Sequence, residues 1–434
     1  MAILRVEGGR PLEGRIRVEG NKNAALPLIV ASLLTAEPVV LHNVPRIRDV
    51  DVLLDLLEHL GTHVHGRGTT TLTLRTPEVV SVEPPPELVG LLRGSVLLLG
   101  PLLARAGRAR LARPGGDFPS RRTIATHIQV LHSLGAVVAA PSAGSADIAA
   151  DIPEGGAVHS FDAPDGGLRG ASFYMDEASV TATELALLAA VLARGTTEIR
   201  HAATEPHVVE LCALLNEMGA SIEGVGSSRL RVHGVARLGG ADHTLRGDYI
   251  EAGSWAVVAA VTGGTVEVSG AEWDDLEPVV SVLQRMALEC RPTDGTLTVL
   301  PSRCRAIGRL VTGLWPGFPS DMVSLVTVLA TQAEGRTLIH DWMYELRLFA
   351  LEQLSGMHAD IFLCDSHRMV VTGRTPLRGR RLDTRDLRSG MALIAAALAA
   401  EGESLVGPLE TVERGYAQVV TRLQSLGARV QRED

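Results

Sequence analysis

Apolar helical runs that stop at a small residue and then continue as a short alternating strand recur along the chain. The stops fall at Leu60-Gly61-Thr62-His63-Val64, Leu134-Gly135-Ala136-Val137-Val138, Met218-Gly219-Ala220-Ser221-Ile222, Met286-Ala287-Leu288-Glu289, Met357-His358-Ala359-Asp360-Ile361 and Leu426-Gly427-Ala428-Arg429-Val430. Equivalent second positions are 74, 84, 68, 71 and 69 residues apart, a near-constant period that marks a repeat architecture. Between the stops lies a second block, an Ala/Leu-rich helix followed by a β-branched strand. It is seen as Ala24 to Leu34 before Val39 to Leu41, Thr183 to Leu192 before Thr196 to Ile199, Ser254 to Val261 before Thr265 to Val268, and Met391 to Ala400 before Ser404 to Val406. Each unit therefore reads helix, strand, helix, strand. None can bury its own apolar face, so the six are expected to stack as two groups of three, helices inside and sheets outside, as two similar lobes with a cleft between them. The stretch from Ala139 to Gly170 is rich in Gly, Ala, Asp and Pro, accounts for the longest step, and reads as an inserted surface excursion.

A chain of 434 residues has material for two or three domains. With 46% hydrophobic, 21% charged and 3% aromatic residues it is neither a disordered chain nor a base-stacking reader of nucleic acid. A formal net charge of −9 supplies no basic field for nucleic acid or anionic membrane, so neither is expected as a partner. Cys212, Cys290, Cys304 and Cys364 show neither CxxC nor zinc-ligand spacing and are read as reduced and mostly buried. No segment approaches about 18 uninterrupted apolar residues, and a cytoplasmic location is expected. Oligomeric state is not legible.

Forty of the 41 basic residues are arginine and one, Lys22, is lysine. Where a replacement bias acts throughout a chain, the surviving lysine marks a place that needs a compact ammonium and not a planar guanidinium. Lys22 follows Asn21, so it is not part of a GxxxxGK phosphate loop, and GxGxxG, HExxH and GxSxG are also missing.

Four strings, Gly20-Asn21-Lys22-Asn23-Ala24-Ala25-Leu26, Arg113-Pro114-Gly115-Gly116-Asp117, Phe318-Pro319-Ser320-Asp321-Met322 and Glu413-Arg414-Gly415-Tyr416, resemble the UDP-N-acetylglucosamine enolpyruvyl transferase family essentially end to end. The resemblance implies an α/β fold of two lobes, an inside-out α/β barrel of six βαβαββ-type repeats, three per lobe. One lobe would span 22–246 and carry a mobile catalytic loop at 113–122, and residues 1–21 with 247–434 would form the other, with the active site in the cleft. It further implies transfer of the carboxyvinyl group of phosphoenolpyruvate to a hydroxyl by addition and elimination, with release of phosphate and without metal or organic cofactor.

Phosphoenolpyruvate carries a phosphate and a carboxylate, so its site must gather permanent cations. By resemblance these are Lys22, Arg93, Arg122, Arg388 and Arg414, with Arg347 nearby; any single arginine taken alone reads as a solvated surface charge. Asp321 matches the base that takes the acceptor's proton, the bland reading being a cap for the helix from Met322 to Leu329. Asn23 would bond the acceptor, or cap the Ala24 helix. Asp117 stands where most of the family has cysteine, on the glycine-rich loop that would deliver a proton to carbon. A carboxyl group there lacks the thiolate that epoxides alkylate, which implies fosfomycin resistance.

On the acceptor side the resemblance assigns Asn23, Arg122, Thr123, Ala125, Thr126, Ser179, Val180, Thr181 and Asp321, and here the sequence departs from the family. Arg122-Thr123-Ile124-Ala125-Thr126-His127 lacks the usual proline and aspartate, Glu177 replaces a lysine that would meet a diphosphate, and Tyr249 replaces a frequent arginine. Such a pattern fits the same chemistry on an altered uridine acceptor, for example a ribose hydroxyl of UMP in a nucleoside-antibiotic pathway, as well as UDP-N-acetylglucosamine in peptidoglycan synthesis. Shikimate 3-phosphate is a rival acceptor. A silent nucleotide-binding paralogue and an RNA end-processing enzyme of related repeat are the alternatives from other classes.

Overall fold

The computed structural model describes residues 2–115, 123–139, 158–293 and 295–434. They fall into two compact units, one made of residues 2–19 and 246–434, the other of the described residues within 20–245.

Within each unit one pattern is repeated three times. A helix buried on every side leads into a strand, a second and amphipathic helix follows, and a two-stranded hairpin closes the sheet. In the unit within 20–245 the third repeat is the clearest: Val180–Ala190, then Thr196–Arg200, Pro206–Glu217, and the pair Ser221–Glu223 and Arg229–His233. The strand that comes next leaves its own repeat. Ala241–Thr244 runs parallel to Val39–His42 of the first repeat, and Ser172–Tyr174, at the end of the second, runs parallel to Thr196–Arg200. Arg110 N–H, on the Arg108–Leu111 strand of the second repeat, bonds Val82 O beyond the hairpin of the first at 2.8 Å. Two repeats thus lend their last strand to a neighbour, and the first reaches the second through a single backbone hydrogen bond, so the three connections form a ring.

The other unit repeats the scheme. Arg309–Val311 joins Gly335–His340, Arg381–Asp383 joins Glu403–Gly407, and Glu13–Arg17 joins Thr265–Ser269, all in parallel. The sixth repeat is completed by the start of the chain, because Ile3–Glu7 lies between Glu403–Gly407 and Arg429–Glu433. Parallel pairing of this kind needs a crossover, and the buried helices supply it.

Alternation explains which face goes inward. In Thr196–Arg200 the side chains of Thr197 and Ile199 are buried while Thr196 and Arg200 are exposed. In Arg48–Leu60, Val50, Leu53, Leu54 and Leu57 line the buried stripe and Glu58 the open one, and the helix stops at Gly61 with φ 109°, which suits glycine. The first helices have no open stripe: residues 182–190 of Val180–Ala190 are all buried. In the second unit Tyr249–Thr262, Val323–Gln332 and Leu387–Ala399 pack on one another as its centre. Close approach is built in at Gly100, where a Cβ would stand 3.0 Å from the Leu188 Cβ.

Sheets lie outside helices, as the pattern predicts, but the helices begin earlier than their apolar runs. They start at Lys22, Val180, Tyr249 and Leu387 because Asn21, Ser179, Asp248 and Asp386 cap them, each accepting first-turn N–H groups on a side-chain oxygen. The excursion expected over 139–170 is also shorter than its composition suggests. His159–Asp162 is the centre of a three-stranded sheet with Arg108–Leu111 and Val137–Ala139, and Phe161 is fully buried, whereas residues 140–157 lie outside the described residues. All four cysteines are free thiols; Cys212, Cys290 and Cys304 are buried and Cys364 is exposed. Among the described residues no helix is long and apolar enough to cross a membrane, and no His/Cys/Asp/Glu group is placed to hold a metal ion.

Candidate functional site

In the unit within 20–245, Asn21 Oδ1 accepts from the N–H groups of Asn23 at 2.8 Å and Ala24 at 3.2 Å. That cap fixes Lys22 as the first helical residue, buried, with Nζ 2.8 Å from Asp49 Oδ2 on the neighbouring Arg48–Leu60 helix. The capping role considered for Asn23 belongs to Asn21; Asn23 itself is half-buried. Asp49 has no sequence signal beyond an acidic residue in a first helical turn.

Arg93 opens a short 3-10 turn, Arg93–Leu98, and its Nη2 donates to Thr123 O at 2.7 Å. Thr123 Oγ1 accepts from Ala125 N–H at 3.2 Å, and Thr126 is half-buried in the first turn of Ala125–Ser133. His127, in that same turn, puts Nε2 2.9 Å from Thr181 Oγ1 in the first turn of Val180–Ala190. Ser179 caps this second helix, its Oγ accepting from Ala182 N–H at 3.4 Å, and Val180 is half-buried. One histidine thus ties together 123–126 and 179–181, the two segments expected to meet the acceptor, at the starts of two helices. Burial, and then the nearby Arg93 charge, push the His127 pKa down to about 3, so the ring is neutral at ordinary pH. Its Nδ1 is buried without a hydrogen-bond partner. Glu177, just before this segment, is exposed. Gly115 N–H bonds Val89 O at 3.0 Å, and a Cβ on Gly115 would come within 1.9 Å of Gly90 O, so the chain passes where only glycine fits. Asp117 and Arg122 lie outside the described residues.

In the other unit Asp321 sits in a 3-10 turn, Ser320–Met322, that runs into Val323–Gln332. Arg347 Nη1 donates to Asp321 Oδ1 at 3.1 Å and to Ser320 Oγ at 2.9 Å. Arg388 reaches the second carboxylate oxygen, with Nε and Nη2 3.2 and 3.0 Å from Asp321 Oδ2. Asp386 Oδ1 accepts from the Arg388 N–H and so sets where that arginine leaves its helix. Both guanidiniums are buried. Burial acts to lower their pKa values, and the Asp321 charge with its acidic neighbours more than offsets it, so both move up and stay cationic.

Two further residues brace the arginines. Arg388 Nη1 donates to Tyr416 Oη at 3.3 Å, and Tyr416 Oη lies 2.8 Å from Ser254 Oγ. Arg347 lies 4.0 Å above the Tyr344 ring. Ser320 Oγ in turn donates to the buried Asp341 at 2.7 Å. Arg414 is half-buried where Leu409–Glu413 ends, two residues before Tyr416. Tyr249 is buried edge-on against Trp315, with ring centroids 5.7 Å apart.

Residues 6–423 match the family EPSP synthase (3-phosphoshikimate 1-carboxyvinyltransferase). A UDP-N-acetylglucosamine 1-carboxyvinyltransferase of Treponema denticola is 42% identical over 434 residues, covering 98% of each chain. One of Bradyrhizobium diazoefficiens is 41% identical, over 98% of this chain and 97% of its own. Among solved structures, the enolpyruvyl transferase NikO from Streptomyces tendae superposes with a TM-score of 0.86 at 24% identity, covering 99% of this chain and 98% of that one. An EPSP synthase from Acinetobacter baumannii gives 0.76 at 17% identity, with both chains covered in full.

Proposed function

The chain belongs to the EPSP synthase family and is an enolpyruvyl (1-carboxyvinyl) transferase, and from that premise we propose that it moves the carboxyvinyl group of phosphoenolpyruvate to a hydroxyl of a uridine nucleotide. The observation that carries the reading is the Asp321 carboxylate set between the buried guanidiniums of Arg347 and Arg388. A carboxylate beside two fixed cations is what a reaction needs that must seat an anion and take a proton from an alcohol at one place.

In the proposed reaction the acceptor oxygen bonds to C2 of phosphoenolpyruvate while its proton passes to Asp321 and a proton from Asp117 goes to C3. The resulting tetrahedral adduct loses phosphate from C2 and a proton from C3, restoring the vinyl group on the acceptor. Lys22, Arg93, Arg122, Arg347, Arg388 and Arg414 would carry the phosphate and carboxylate charge. Asn23, Thr123, Ala125, Thr126, Ser179, Val180 and Thr181 would position the acceptor.

UDP-N-acetylglucosamine is the first acceptor to test, because relatives above 40% identity over nearly the whole chain carry that name. Glu177 in place of the family's lysine supports a second reading, an acceptor with fewer phosphates such as UMP, which holds only if this exposed carboxylate turns from solvent toward the bound nucleotide. Incubation of the protein with phosphoenolpyruvate and UDP-N-acetylglucosamine, UMP, UDP or shikimate 3-phosphate in turn decides it. The true acceptor releases phosphate and gains the mass of a carboxyvinyl group. No turnover with any uridine compound removes the acceptor class.

A further inference from the structure

Asp321 is the most open member of its cluster. Its side chain is 28% exposed, whereas those of Arg347 and Arg388 are 8% and 4% exposed. Each guanidinium also holds a neutral oxygen, Ser320 Oγ for Arg347 and Tyr416 Oη for Arg388, and Tyr416 is fully buried. These neutral acceptors orient the arginines without cancelling their charge. Asp341 and Asp386 near Arg347 and Asp248 near Arg388 add negative field, but Asp321 is the carboxylate that bonds both, giving one oxygen to each guanidinium. A buried guanidinium without an anionic partner is strongly unfavourable, so the two seats facing Asp321 are filled when no substrate is bound.

An incoming substrate anion wants those same seats. We infer that Asp321 is an exchangeable counter-ion: it occupies the seat of Arg347 and Arg388 until a phosphate or carboxylate takes the guanidiniums over, and only then is its carboxylate free to receive a proton. The inference rests on the reaction proposed above and adds a reason for its order. A base engaged by two cations is a poor proton acceptor, and arrival of the donor substrate's anion releases it where the alcohol must be deprotonated. One contact set therefore serves stability in the empty protein and chemistry in the loaded one.

Titration calorimetry of the whole protein with inorganic phosphate, pyruvate and phosphoenolpyruvate, each alone, tests the exchange. Asp321→Asn removes the charge of the internal competitor, so at least one probe should bind ten-fold tighter or better than to the unaltered protein. Gain with phosphate alone assigns the seat to the phosphoryl group, and gain with pyruvate alone to the carboxylate. Asp321→Glu, which keeps a competing charge, should stay within three-fold of the original, and Asp383→Asn, an exposed charge removed elsewhere in the same unit, within two-fold. Unchanged or weaker binding of all three probes by Asp321→Asn overturns the proposal. Should that variant fail to fold, the unaltered protein carries the test: saturating phosphoenolpyruvate must move the Nε–H resonance of Arg388, identified by its loss in Arg388→Lys, and a fixed resonance sinks the exchange. Carboxyvinyl transfer by the unaltered protein is scored separately. Tighter anion binding without transfer keeps the seat and loses the reaction, and transfer without tighter binding does the reverse.

Discussion

The ammonium of Lys22 and the carboxylate of Asp49 lie 2.8 Å apart with both side chains almost wholly buried, a single positive charge on a short-reach donor seated at the start of a helix. Arginine cannot reproduce this contact, because its planar fork is larger and directs its donors differently. Lys22→Arg should lower carboxyvinyl transfer by at least about a hundred-fold while circular dichroism stays unchanged. Asp49→Asn leaves the buried ammonium without its counter-charge and should cost about 3 kcal/mol of stability, read from denaturant unfolding. Full activity in Lys22→Arg would show that the lone lysine is an accident of composition.

Tyr416 bears on Arg388 through one hydrogen bond and is itself tied to Ser254. Tyr416→Phe keeps the ring that fills the core and removes only the oxygen, so stability should fall by about 1 kcal/mol. If the hydroxyl positions the guanidinium, kcat/KM for phosphoenolpyruvate should drop about ten-fold, near 1.4 kcal/mol of transition-state stabilisation, with KM for the acceptor unchanged. Equal losses for both substrates would mean that the hydroxyl serves only packing.

Asp117 stands where a thiolate would be needed for alkylation by an epoxide, and a carboxylate is a far weaker nucleophile. Intact-protein mass spectrometry after incubation with fosfomycin should show no adduct at this position, and Asp117→Cys should create one. An adduct on the unaltered chain would refute the expectation of resistance.

The repeat was legible because its signal is local: an apolar run, a small-residue stop and an alternating strand lie within some fifteen residues of each other. What could not be read is how strands are shared. Nothing near Ala241–Thr244 says that it pairs with Val39–His42, two hundred residues earlier, and the ring of lent strands is a property of the assembled unit. The site divides the same way. Lys22 stands out by composition, Asp321 by a family string and Arg347 and Arg388 by the positions the resemblance assigns, and the last three do meet. Asp49, His127 and Tyr416 did not stand out as partners, because each acts on a residue at least 27 positions away and looks, in its own neighbourhood, like an ordinary helix or loop residue. The apolar pattern marks helix starts late, since capping oxygens are polar and the pattern ends where they begin.

Two histidines of one unit should shape stability against pH with opposite signs. His243 lies between helix residues Glu217 and Glu210, with Nδ1 2.9 Å from Glu217 Oε2 and Nε2 3.5 Å from Glu210 Oε1, and so fastens the lent strand Ala241–Thr244 to Pro206–Glu217. Burial pulls its pKa down, but the two carboxylates more than compensate, and the folded value is raised. Its contribution is therefore complete below the unfolded value of about 6.5 and is lost as pH rises through the higher folded value. With Glu217 half open to solvent, that contribution is about 0.5–1 kcal/mol. His127 runs the other way: folded near 3 and unfolded near about 6.5, it stays neutral in the native chain while the unfolded chain takes up a proton, so stability falls as pH drops through this interval. Other groups titrate in the same range, among them buried Glu251, pushed up to about 7, and buried Glu184, also raised, so each histidine is read as the difference between a variant and the unaltered protein at each pH. The stability lost in His243→Gln should shrink as pH rises above about 6.5, and His127→Phe should gain on the unaltered protein as pH falls below about 6.5. If neither difference changes with pH, neither histidine titrates as argued, and the neutral ring that joins 123–126 to Thr181 loses its physical support.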